Sequence, residues 1–285
     1  RDFFLYFLPF PKFGYTYAMS EIALYRKYRP KKFSDVIGQD HIVDVLVAAI
    51  KGKKIAHAYL FAGSRGTGKT SVARILAQEL GTSANDLYEL DAASNRGIDE
   101  IRSIREAVNT LPFESDYKVY ILDEAHMLTK DAWNALLKTL EEPPAHVIFI
   151  LATTELEKVP ETICSRCQTF IFKKPNLQIL REEIARIAKK EGYSLEKASA
   201  ELIALLGDGS FRDAESILQK VLTASSDKKI TAEEVAKIAG APRSSVVNDF
   251  ITALEEKDIE RGLTAIRAAI EGIVDVMVSL NLILH

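Results

Sequence analysis

From residue 40 onward the chain alternates between two kinds of apolar spacing. Residues 40–51 set Ile42, Val45, Leu46, Ala49 and Ile50 at helical intervals. "AYLFAG" (58–63) predicts a short buried strand that ends in glycine, and 69–80 predicts a helix with Val72, Ala73, Leu76, Ala77 and Leu80 turned inward. The alternation continues with strands over 87–92, 118–126, 146–154 and 168–173, and helices over 97–110 and 130–142, the second stopped by Pro143-Pro144. Near-continuous apolar strands interleaved with helices predict an α/β fold whose parallel sheet, here five-stranded, is covered on both faces. From 176 to 240, and again from 242 to the end, only helical spacing is visible. The Arg29-Pro30 step predicts extended chain before the first long helix.

Composition narrows the class. The chain has 285 residues, 47% hydrophobic and 27% charged, with a net charge of −3, so no global positive field advertises nucleic acid. This length accommodates two or three domains with real cores. Two cysteines cannot staple a protein of this size, which points to a reducing cytoplasm. No apolar run reaches the roughly 18 residues needed to span a membrane. Residues 1–18 are aromatic-rich and precede Met19. They lack the basic start and small-residue cleavage site of a signal peptide, and are expected to be an extension ahead of the natural start.

Residues 63–70, "GSRGTGKT", fit G-x-x-x-x-G-K-[ST], with a predicted strand before and a predicted helix after. Gly63, Gly66 and Gly68, with Ser64, Arg65 and Thr67, let backbone N–H groups close around phosphate oxygens. The helix start at Lys69, Thr70 and Ser71 adds partial positive charge. Lys69 is expected to reach the β- and γ-phosphates of ATP, and the Thr70 hydroxyl to ligate Mg²⁺. Asp123 and Glu124 end the strand "VYILDE"; Asp123 is placed to meet the metal and Glu124 to polarise an attacking water. A glycine turn alone, or a solvated acidic turn alone, would be unremarkable; the two together imply ATP binding and hydrolysis. Cys164 and Cys167 form C-x-x-C around Ser165 and Arg166, which by itself fits a redox pair, half a metal site, or a setting for the arginine. No second C-x-x-C or H-x₃₋₅-H exists to complete a zinc site of about four ligands.

The stretches "LYRKYRP", "DVIGQDHIV", "LDAASNRGIDEIR", "DEAHMLTKDAWNALLKTLEEPP", "LATTELEKVPETICSRCQTF" and "GDGSFRDAESILQ" follow one another over residues 21–241. In this order and spacing the chain resembles the AAA+ clamp loaders, and among them the gamma/tau subunits of bacterial DNA polymerase III. The resemblance implies an AAA+ nucleotide-binding domain (19–175), a helical lid (176–241) and the start of a helical oligomerisation collar (242–285), cut short within it. It implies that Ser165-Arg166-Cys167 carries an arginine finger directed at a neighbouring subunit's ATP. Thr154 and Arg212 would be the two sensors of the γ-phosphate. Tyr25, Arg26, Val36 and Ile37 would hold the base and ribose, and Arg96 and Lys130 would meet the DNA backbone. ATP and Mg²⁺ are the implied cofactors. The implied partners are other subunits of a hetero-oligomeric, pentameric loader, a sliding clamp and primer-template DNA, with no membrane.

One feature departs from the family pattern. Gamma/tau subunits usually carry a cysteine-rich zinc module between the first helix of the nucleotide domain and its second strand, and here "AQELGTSANDLYELDAAS" passes straight through, as in replication factor C small subunits. An alternative is therefore a replication factor C-like small subunit or another AAA+ DNA-remodelling ATPase. A non-catalytic structural subunit of the same assembly is disfavoured by the intact phosphate loop. A substrate-gripping pore loop, the mark of an unfoldase or a helicase motor, is not evident.

Overall fold

The computed structural model describes residues 22–225, 227–240, 250–253 and 255–271. Its centre is a parallel sheet of β1 (Ala58–Ala62), β2 (Leu87–Asp91), β3 (Lys118–Asp123), β4 (Val147–Thr153) and β5 (Gln168–Ile171), in the spatial order β2-β3-β4-β1-β5. Strands β1 and β4 are buried at every position, because helices cover both faces. The period of two then divides each strand between two cores. Ala58 and Leu60 join Trp133, Leu136 and Ile101 on one face; Tyr59 and Phe61 join Leu46, Val72 and Leu76 on the other. Helices α2 (Asp40–Lys51) and α3 (Lys69–Glu79) supply the second face, and α4 (Ile98–Ala107) and α5 (Lys130–Glu141) the first. Each fully buried Leu or Ile contributes about 1.5–3 kcal/mol, so these two layers hold the sheet in place.

The short helix α6 (Glu161–Cys164) precedes β5, and a helical unit follows it: α7 (Leu177–Lys190), α8 (Lys197–Leu206), α9 (Phe211–Ala224) and α10 (Ala232–Ala239). It closes around its own core of Leu180, Ile184, Ile203, Leu218 and Val221. Asn176, Ser210 and Thr231 cap three of its helices, each side chain accepting a backbone N–H. The sequence predicts only helices here, yet β6 (Ser194–Leu195) and β7 (Lys229–Ile230) pair in parallel. Two-residue strands are too short to show a period of two. The first helix, α1 (Leu24–Lys27), also belongs to this unit. Leu24 lies in its core, the Leu24 N–H donates to Gln219 Oε1 at 3.0 Å, and Lys27 Nζ pairs with Glu191 at 2.7 Å. Within the predicted collar a helix spans Ile259–Glu271, with Leu263 and Ile266 exposed. The expectation placed on residues 1–18 lies outside the described residues, as do positions 242–249, 254 and 272–285 of the expected collar.

The compact link after α3 is held by one side chain. Asp86, inaccessible to solvent, accepts the N–H groups of Phe113, Glu114 and Ser115 at 2.6, 2.9 and 2.9 Å. Burial alone would raise its pKa, but these hydrogen bonds together outweigh it and hold the carboxyl well below the ordinary 3.8. A depressed folded-state pKa is stability present above the unfolded value and lost as pH falls through the folded one. Asp86→Asn is therefore expected to lower the thermal midpoint at pH 7. The gap to wild type should narrow progressively below about pH 4, as calorimetric scans across that range would read.

Candidate nucleotide-binding site

The carboxyl ends of β1, β3 and β4 meet at one edge of the sheet, where α/β sheets bind ligands. Ala62 is in register with Thr153, and Leu122 with Leu151, so Gly63, Asp123 and Thr154 leave their strands side by side. The Gly63 N–H still donates to Thr153 O at 3.2 Å. Two glycines of the loop are needed on steric grounds. A Cβ on Gly63 would lie 2.5 Å from Phe172 O; at Gly66, with φ of +73°, it would drive into Ser210 Oγ at the start of α9.

Lys69 is buried, and its Nζ donates to Gly63 O at 2.7 Å and Ser64 O at 2.9 Å. Burial pushes its ammonium below the usual range, and the carboxylates of Glu124 and Asp123 oppose that shift. Thr70 Oγ1 donates to Asp123 Oδ2 at 2.7 Å, which brings together a hydroxyl and a carboxylate, the hard oxygen donors Mg²⁺ prefers. Glu124 follows in left-handed backbone, φ 47° and ψ 43°, an unfavourable conformation for a non-glycine residue and one that clusters at functional sites. Its Oε2 accepts from Thr154 Oγ1 at 3.1 Å. His126, with a largely buried side chain, sits between Glu124, Thr153 and Glu155: its Nδ1 lies 3.1 Å from Thr153 Oγ1 and 3.5 Å from Glu124 Oε2, and its Nε2 3.1 Å from Glu155 Oε1.

These groups open into a cleft of about 630 Å³ between the sheet edge and the helical unit. It is lined by Arg65 to Ser71, Asp123 and Glu124 on one side, Tyr25, Val36 and Ile37 on another, and Phe211 and Arg212 from α9. The Arg212 guanidinium lies 4.9 Å from the centre of the Tyr25 ring. Arg26 is exposed and does not line the cleft; it too reaches the Tyr25 ring, at 5.7 Å. Sequence reasoning missed Arg29, Glu183, Arg186 and Glu215, which also line the cleft. Their signal was faint: Glu183 and Arg186 are spaced i, i+3, and Glu215 lies one turn beyond Arg212, a spacing that also describes a solvated helix face.

Besides Arg26, the predicted Gly63, Ser64 and Thr154 do not line the cleft, though Gly63 and Ser64 accept from Lys69 and Thr154 donates to Glu124, which do; Arg166, Arg96 and Lys130 stand farther apart. Arg166 lies elsewhere, its Nη2 2.7 Å from Glu141 Oε1 and its Nη1 donating to Thr162 O at 2.6 Å. Arg96 and Lys130 are both exposed, and the Thr129 N–H donates to Arg96 O at 3.1 Å, so the N-termini of α4 and α5 adjoin. Both cysteines are free and pack against the sheet core. Burial pushes the Cys167 thiol up to about 12 and raises that of Cys164, which disfavours the thiolate that redox exchange or metal binding requires. Among the described residues no cluster of His, Cys, Asp or Glu has the makings of a metal site, and no helix is long and apolar enough to cross a membrane.

A family model described as DNA polymerase III, delta subunit, matches residues 38–89 and 82–176. DNA polymerase III subunit tau of Bacillus subtilis (strain 168) is 43% identical over 274 residues, covering 89% of this chain and 48% of that protein. The gamma/tau subunit of Mycoplasma pneumoniae is 44% identical over 75% of this chain and 34% of its own length, and the Escherichia coli K12 tau subunit 38% identical over 90% and 43%. The chain thus spans less than half the length of these curated relatives. Among solved structures, the Thermotoga maritima RuvB Holliday junction branch migration motor superimposes with a TM-score of 0.63 at 24% identity, over 81% of this chain and 80% of that one. That likeness establishes an AAA+ type of fold.

Proposed function

We propose, from the premise that the chain is a relative of the bacterial DNA polymerase III gamma/tau subunits, that it is an ATP-driven subunit of a clamp loader, which opens a sliding clamp and places it on primed DNA during replication. The single observation that carries the reading is the meeting of Lys69, the Thr70–Asp123 pair and Glu124 in the cleft, with Thr154 bonded to Glu124 from behind. Lys69 would turn from its loop carbonyls to the β- and γ-phosphates. Thr70 and Asp123 would hold Mg²⁺, which neutralises charge on the transferred phosphoryl group. Glu124 would orient the attacking water, and its tie to Thr154 links that carboxylate to the group suited to sense the γ-phosphate. Arg212 stands at the start of α9 on the far wall, suited to the second sensor role.

In this reading residues 19–175 form the nucleotide-binding domain, 176–241 its lid and 242–285 part of a collar that joins it to other subunits in a cytoplasmic hetero-oligomer. The adjoining N-termini of α4 and α5 present Arg96 and Lys130 to the DNA backbone, a contact that needs no base readout. The deciding measurement is the steady-state ATPase rate of the assembled subunits, alone, with a sliding clamp, and with clamp plus primed DNA. The rate should rise when both are present. A flat response would leave an ATP-binding AAA+ core without a loader's coupling and would overturn this proposal.

A further inference from the structure

Glu124 leaves β3 in a backbone conformation that nothing local favours. Its left-handed φ of 47° and ψ of 43° persist only where the surroundings over-determine them. His126, two residues on in the same turn, has a side chain only 7% exposed and no part in the reaction as described above. It faces the end of β4. Its Nε2 lies 3.1 Å from Glu155 Oε1, and Lys158 Nζ lies 2.6 Å from the other oxygen of that carboxylate. An ionised carboxylate only accepts, so Nε2 carries the ring proton. Its Nδ1 lies 3.1 Å from Oγ1 of Thr153, a residue with no solvent exposure. That hydroxyl accepts the Glu155 N–H at 3.0 Å and, among the described residues, has no acceptor for its own proton except Nδ1. Both ring nitrogens are thereby satisfied, and the ring is fixed at two points to the end of β4 and the residues just after it.

We propose that His126 is a positioning residue for ATP hydrolysis: it clamps the Glu124 turn to the end of β4 and so keeps the Glu124 carboxylate aimed into the cleft. This rests on the role proposed for Glu124 above. Without the ring, the Thr154–Glu124 hydrogen bond would be the one polar tie between the turn and the end of β4 among the described residues. The ring also bounds the carboxylate. Thr154 Oγ1 donates to Oε2 at 3.1 Å, and Nδ1 stands 3.5 Å from the same oxygen, in contact without a hydrogen bond because Nδ1 accepts from Thr153. Oε1 has no partner among the described residues, and Glu124 lines the cleft. One oxygen is therefore held while the other is free to orient a water, the division a general base requires. A backbone strained as Glu124 is becomes disfavoured by about 5- to 150-fold once its restraints are gone, which sets the scale of the effect.

The test measures kcat in the assembled complex, and ATP affinity of the single chain by calorimetry, for His126→Ala, Glu155→Ala, Glu155→Gln and the double alanine variant. His126→Ala should lower kcat by about 10- to 100-fold and leave ATP affinity within about 2-fold. Glu155→Ala should lower kcat too, and the double variant should fall no further than His126→Ala, since the two residues act as one clamp. Glu155→Gln keeps a carbonyl that can accept from Nε2 and should recover most of the turnover that Glu155→Ala loses. A wild-type kcat in His126→Ala would overturn the proposal, as would a loss of affinity that matches the loss of kcat. If thermal melts show that His126→Ala does not fold, the partly exposed Glu155 decides: recovery by Gln supports the clamp, and equal kcat in Glu155→Gln and Glu155→Ala overturns it. Undiminished turnover in Glu124→Gln would instead remove the role of Glu124 itself, and a wild-type chain that binds no ATP would remove the nucleotide site.

Discussion

Lys69→Ala should abolish nucleotide binding. The Lys69 ammonium is buried at the mouth of the cleft and, among the described residues, donates to the Gly63 and Ser64 carbonyls, on the loop expected to wrap the phosphates. Turning from these two neutral acceptors to charged phosphate oxygens is favourable, because charge-assisted hydrogen bonds are about twice as strong as neutral ones. Losing two such contacts, at about 1.5–3 kcal/mol each, weakens affinity by at least about 100-fold. The fold should survive, since the residue removed is a cation whose own burial is unfavourable. Calorimetry with Mg²⁺-ATP, beside a thermal melt of the nucleotide-free protein, separates the two effects. Tight ATP binding by a well-folded variant would remove the phosphate-loop assignment, and with it the premise for Glu124 and Thr154.

Arg166→Ala should have the opposite pattern: undisturbed ATP affinity in the single chain and a fall in turnover of roughly 10³-fold or more in the assembled complex. Arg166 does not line its own chain's cleft, so any action on ATP must be on a neighbour's. Its side chain is partly exposed and its partner Glu141 more so; such a pair is worth about 0–1 kcal/mol, and the guanidinium can leave it at little cost. The measurement pairs ATP affinity of the isolated variant with turnover of the complex that contains it. Unchanged turnover would return Arg166 to a surface ion pair with Glu141.

The sheet and the phosphate loop were legible in the sequence because their signals are local. β1 and β4 are unbroken apolar runs, α2 repeats its apolar positions every three to four residues, and G-x-x-x-x-G-K-T requires its glycines within eight positions. The rest depends on tertiary meeting. Nothing within "REEIARIAKK" or "RDAESILQK" marks Glu183, Arg186 or Glu215 as anything but solvated charge; Glu183 and Glu215 are buried only where α7 and α9 pack together, and Arg186 stays exposed while it holds Glu183. The same holds for Asp86, whose three backbone N–H donors lie 27 to 29 residues away. The C-x-x-C spacing erred in the other direction. It fits redox or metal chemistry, yet Cys167 faces the core, where burial favours its protonated form.

The attachment of α1 has a mechanical consequence. Leu24, Lys27 and Tyr28 are fastened to α7 and α9 and to the turn at Glu191, not to the sheet. Tension drawn on the chain ahead of residue 24 therefore enters through the helical unit. It peels one turn of helix and a few polar contacts in sequence, instead of shearing the ladder of β1 against β4 and β5. The segment from Tyr28 to Ile37 borders the cleft and is itself fixed to the sheet core by Phe33, so it ties the helical unit to the sheet along one side of the cleft.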